Sequence, residues 1–110
     1  MKALVFHRKE LAMSFDIKPL ESWNELTLVG VVDLVKHGYK PGESKPVDLL
    51  EIVFEQTNHI SLSWNDNNYG VISMVDKPRS TSVGDVAILG SKAYQCMPMG
   101  WARLEQFDLE

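Results

Sequence analysis

A single cysteine, Cys96, stands in a chain of 110 residues, so no internal disulfide framework can form. That usage fits a reducing compartment, and a cytoplasmic protein is expected. No apolar run approaches the ~20 residues that a membrane-crossing helix needs. The opening residues, Met1-Lys2-Ala3-Leu4-Val5-Phe6-His7-Arg8, close a short apolar run with charge. They lack the longer apolar core and small-residue cleavage site of a signal peptide, so none is expected. His7, His37 and His59 stand apart, with no Cys-x-x-Cys or His-x-x-x-His spacing. No metal and no cofactor are therefore expected. The glycines are scattered and no Gly-x-x-x-x-Gly-Lys stretch is present, which removes the familiar phosphate-binding loop. Lysine and arginine form no run. The net charge is −4; the first 50 residues carry seven basic and seven acidic side chains, the remainder four and eight. An acidic second half repels phosphate backbones, yet it is too sparse for a DNA mimic.

What is present is an ordinary globular composition, 45% apolar and 24% charged, in a length that suits one domain. Residues 2–7 read as a strand. Leu11, Met13, Phe15 and Ile17 alternate with polar or small residues, which suits a second strand and a hairpin through Arg8-Lys9-Glu10. Pro19 stops regular pairing, and residues 20–23 form a short helical turn or a loop. Residues 26–35 are β-branched and nearly continuously apolar, which places them centrally in a sheet, with Gly30 marking a bulge or a close contact. A connector follows over 36–45. Residues 46–58 form the convincing helix: Pro46 suits the first turn, and Leu49, Leu50, Val53, Phe54 and Thr57 share a face expected to be buried.

Beyond the helix, residues 60–64 form a short strand or an extended exit, and 71–75 a strand or an ordered loop. Residues 83–89 read as a strand with 92–98 as its hairpin partner. Residues 102–108 close the chain as a strand or a terminal helix. The expected fold is α+β: a small, mostly antiparallel sheet with one amphipathic helix packed across it. An edge strand near Met1 or after Lys92 would let a second copy pair as a homodimer.

Candidate chemistry is thin. Cys96 lies in an alternating strand and reads as a small buried thiol. Ser80 and Ser82 lie in a turn, where hydroxyls hold nearby backbone. A polar-aromatic set remains: Thr57, Asn58, Trp64, Asn65, Arg79, Ser80 and Ser82. Tryptophan and arginine are favoured interface anchors, so this set is the candidate partner-binding surface. Its structural counterpart has Asn58 finishing the helix, Trp64 packing under a loop, and Arg79 pairing with an acid such as Asp76. Tyr39, among Lys36, Lys40 and Lys45, is the one aromatic with basic company, as single-strand binding would need.

Val53-Phe54-Glu55-Gln56-Thr57-Asn58-His59-Ile60, then Trp64-Asn65, then Arg79-Ser80-Thr81-Ser82-Val83-Gly84-Asp85-Val86 follow in order, ending with Ala93-Tyr94 and Gly100-Trp101. Together they resemble the YodL-like small proteins and modules of phages, plasmids and other mobile elements, over the C-terminal half to two-thirds. The resemblance implies a small accessory protein and brings no catalytic residues. Ser-Val-Gly-Asp-Val alone also resembles a strand entrance in the small RNA-binding barrels of PUA and ASCH domains. The expected function is non-enzymatic protein–protein binding, with inhibition of a host or defence enzyme as one such role. The alternative is a small nucleic-acid-binding module.

Overall fold

The computed structural model describes residues 1–10, 19–58, 70–75 and 78–109. The expected strand at 11–17, the stretch 60–64, and His59, Trp64, Asn65 and Asp76 lie outside the described residues. Among those described, the fold is α+β, with a six-stranded antiparallel sheet and a single α-helix. The strands are β1 (Lys2–Arg8), β2 (Leu26–Asp33), β3 (Val71–Ser73), β4 (Val86–Leu89), β5 (Lys92–Cys96) and β6 (Trp101–Arg103), and helix α1 spans Pro46–Thr57. Their order across the sheet is β3-β2-β1-β4-β5-β6.

β1 lies inside the sheet, paired with β2 along its length and with β4 over Ala3 to Phe6. Its side chains alternate between two covered faces. Ala3 and Val5 join Val32, Leu49, Leu50, Val53, Ala87 and Leu89 under α1. Leu4 and Phe6 pack on the opposite face with Leu20, Leu26, Val86, Ile88 and Phe107. Two short 3-10 turns cover that second face, Trp23–Glu25 and Glu105–Phe107. Trp23 bridges them, its ring centroid 5.1 Å from Phe6 and 4.9 Å from Phe107. Ser22 and Glu25 cap the first turn reciprocally, each side chain accepting from the other's end of the turn. Burial on both faces explains why these strands read as nearly continuous apolar runs.

The register of β1 and β2 slips between Val5, opposite Gly30, and Phe6, opposite Leu28. Val29 is the extra residue, so the expected irregularity falls beside Gly30, and Val29 joins the helix-side core. In α1, Pro46 occupies the first turn, Asp48 sits at the positive end, and Leu49, Leu50, Val53 and Thr57 are buried. Leu50 and Val53 each contribute on the order of 1.5–3 kcal/mol through burial. Phe54 departs from expectation: it lies one side of the buried face and is only half-covered. The two open readings resolve: 71–73 is a strand, and the chain end is a strand followed by a 3-10 turn.

Two expectations are corrected. Among the described residues β1 and β5 are each paired on both sides and the outer strands are β3 and β6, of three residues each, so the edge expected near Met1 is absent there and the one expected after Lys92 falls at Trp101–Arg103. The strand expected from Val83 begins at Val86. Gly84 delays it with φ at 97°, while its N–H donates to the Cys96 carbonyl at 2.8 Å. A left-handed residue cannot continue a ladder, and Val83–Asp85 therefore form a turn. Gly84→Val is expected to cost about 2 kcal/mol or more, because a β-branched residue is strained at that φ. Urea unfolding measures it; a variant as stable as the parent would show that the turn accepts a side chain.

Candidate functional site

The turn before β4 is built around one carboxylate. Asp85 is 1% exposed. Its Oδ1 accepts from the Arg8 N–H at 2.8 Å and from Arg79 Nη2 at 2.8 Å. Its Oδ2 accepts from Arg79 Nη1 at 2.7 Å and from the Ser82 N–H at 2.7 Å. Arg79 is thus a bidentate partner, and it also donates to the Ser80 and Arg8 carbonyls. Arg79, expected to pair with an acid such as Asp76, pairs with Asp85, six positions on, because the turn folds the strand entrance back beneath the guanidinium. Fork-to-fork geometry with supporting backbone donors is what makes a buried pair tolerable.

A second layer ties this carboxylate to the helix. Thr81 donates its N–H to the Thr57 carbonyl at 2.9 Å, and its own carbonyl accepts from Asn58 Nδ2 at 2.8 Å. Its hydroxyl is hydrogen-bonded to His7 Nε2 at 2.9 Å, and that nitrogen lies 3.8 Å from Asp85 Oδ2. His7 and Thr81 are 4% and 1% exposed. Burial holds the imidazole pKa down at about 4; Asp85 pulls the other way and Arg79 adds to the lowering. His7 is therefore neutral at pH 7. The arrangement superficially suggests an acid–base pair with a hydroxyl. However, every buried side-chain nitrogen and oxygen among the described residues has a partner. The Thr81 hydroxyl faces no solvent, so the cluster acts as a clamp joining β1, α1 and β4.

Beside the clamp lies an open cleft of about 390 Å³. Glu51, Phe54, Asn58, Ser82, Met97 and Trp101 are among its lining residues. α1 supplies one wall and the end of the β5–β6 hairpin the other, with Met99 in that turn 94% exposed. Cys96 lies at the base, 4% exposed. Burial, then Asp85 and Glu51, push its thiol up to about 11, so it is not a thiolate at neutral pH. Among the described residues no group of three His, Cys, Asp or Glu could hold a metal ion. No described helix is long and apolar enough to cross a membrane.

The expected partner-binding set divides. Asn58 and Ser82 line the cleft. Thr57 does not belong on any surface: it is fully buried, and its hydroxyl donates to the Val53 carbonyl at 2.8 Å. Arg79 and Ser80 are half-buried beside Asp85, with the Ser80 carbonyl accepting from Arg79 and from the Ser82 hydroxyl. Trp64 and Asn65 lie outside the described residues. Sequence reasoning passed over His7, Thr81 and Asp85. The available signal for His7 was its period-two spacing from Ala3 and Val5; for Asp85 it was a carboxylate against an apolar strand. No family model matches this chain, nor does any curated protein or solved structure.

Arg79→Ala strands the Asp85 carboxylate and is expected to cost roughly 3 kcal/mol, read from urea unfolding at pH 7. A loss below the ~1 kcal/mol typical of surface pairs would contradict the clamp. His7 supplies a pH test. Its folded pKa of about 4 lies below the unfolded value of 6.5, so the unfolded chain binds more protons between them. Stability should fall as pH drops through that window, by up to about 3 kcal/mol. His7→Gln should flatten that part of the stability profile; an unchanged slope would assign it to other groups.

Proposed function

We propose that this chain is a non-enzymatic accessory module that works by binding another protein through the cleft between α1 and the β5–β6 hairpin. The observation that carries the reading is the cleft itself. Half-covered Phe54, Met97 and Trp101 line the opening, with exposed Met99 in the adjoining hairpin turn, on a frame held by the Asp85 clamp. Aromatic and methionine side chains on a rigid frame are the usual composition of a protein-binding patch. The protonated, buried Cys96 supports a non-catalytic role for the thiol at the base.

The resemblance to YodL-like modules supports the setting: an accessory protein of a phage or other mobile element, with inhibition of a host or defence enzyme as the role. A cytoplasmic site of action fits a lone cysteine kept as a thiol. The nucleic-acid alternative rests on Lys36, Lys40 and Lys45 around Tyr39. Tyr39 packs against the helix-side core, which withdraws its ring from base stacking and favours the protein-binding reading.

A photo-crosslinking residue placed at Met99 is expected to capture one discrete protein from a bacterial lysate. The same residue at Val47, exposed near the start of α1, should capture none. Equal capture from both positions would remove the cleft as the docking site. Binding to random single-stranded DNA that weakens steeply with salt would favour the alternative.

A further inference from the structure

We infer that the cleft receives a cationic side chain, foremost an arginine, from the segment of the partner protein that docks there. The inference rests on the protein-binding reading and specifies its chemistry. Among the described residues that line the cleft, Glu51 carries a charge and no lysine or arginine is present. The carboxylate is exposed, yet its field reaches the cleft base, where it is one of the influences raising the Cys96 thiol. The rings of Phe54 and Trp101 belong to the same lining, and aromatic faces attract cations.

The remaining polar groups also favour a donor-rich guest. Asn58 gives one Nδ2 hydrogen to the Thr81 carbonyl, and its Oδ1 is available as an acceptor. Ser82 has committed its hydroxyl proton to the Ser80 carbonyl and likewise retains acceptor lone pairs. A carboxylate, two acceptors and two aromatic rings match a guanidinium better than an ammonium, because the planar fork both stacks and donates in pairs. The approach is also negative. Asp48, Glu51 and Glu55 stand exposed along α1, and the second half of the chain carries eight acids against four bases. Asp85 also raises the Cys96 thiol, but it is buried and paired with Arg79, so Glu51 is the carboxylate among the lining residues that a guest can reach.

The test uses the full chain, labelled with ¹⁵N, and four capped tripeptides with a central arginine, lysine, norleucine or glutamate. The expected result is movement of the Trp101 indole and Ser82 amide resonances by the arginine peptide. Binding should be about fivefold weaker for norleucine and undetectable for glutamate, with lysine intermediate. Glu51→Gln should weaken the arginine peptide about fivefold without shifting the melting temperature, because Glu51 is exposed. If norleucine binds as well as arginine and Glu51→Gln changes nothing, the cationic guest is overturned while the docking cleft stands. If no peptide moves these resonances, the cationic guest is again overturned, and the docking reading is then decided separately by crosslinking from Met99.

Discussion

The ion pair between Asp85 and Arg79 is the interaction on which the remaining architecture depends. A carboxylate that is 1% exposed survives only because a bidentate guanidinium and two backbone N–H groups surround it. Those donors come from three places: the end of β1, the turn residue Ser82, and Arg79 itself. One side chain thus sets where β4 starts, how the turn closes, and how the first strand meets both. Thr81 and His7 extend the same logic to the helix, since Thr81 contacts the Thr57 carbonyl, the Asn58 amide and the imidazole. Removing one partner from such a network leaves charge or polarity without compensation, so its members act as a unit.

The clamp also explains why the cleft can hold a shape. Helix α1 forms one wall, the end of the β5–β6 hairpin the other, and the clamp joins the C-terminal end of the helix to the turn that feeds the hairpin. Gln95 adds a further tie through its Nε2 to the Gly84 carbonyl at 3.1 Å. Walls fixed to a common base lose little freedom when a guest enters, and preorganisation of this kind lowers the entropic cost of binding.

Much of the fold was legible in the chain because it rests on local periodicity. Short apolar runs marked β1, β2 and β4, alternation marked β5, and Pro46 with apolar residues at helical spacing marked α1. What failed to show depended on partners remote in sequence. Arg79 stood out as an anchor, but its carboxylate partner is chosen by a turn whose geometry depends on Gly84. His7 meets Thr81 across 74 positions, and nothing near either residue announces the other. Phe54 was assigned to the core because helical spacing alone cannot tell the centre of an apolar face from its margin. Of the residues expected at a partner-binding surface, Asn58 and Ser82 line the cleft, whereas Thr57 shares their neighbourhood but is fully buried.

The placement of β1 has a consequence for how the molecule comes into being. β1 comes first in chain order among the strands of this sheet, and β2 follows to pair with one side of it. Its other side waits for β4, and the bond from the Arg8 N–H to Asp85 spans 77 positions. Until the later strands emerge, the nascent chain carries an apolar strand with one row of unpaired backbone groups. Such a row is a template for joining a neighbouring chain. The molecule's period of greatest exposure to misassembly therefore falls during translation, before its sheet can close around the strand made first.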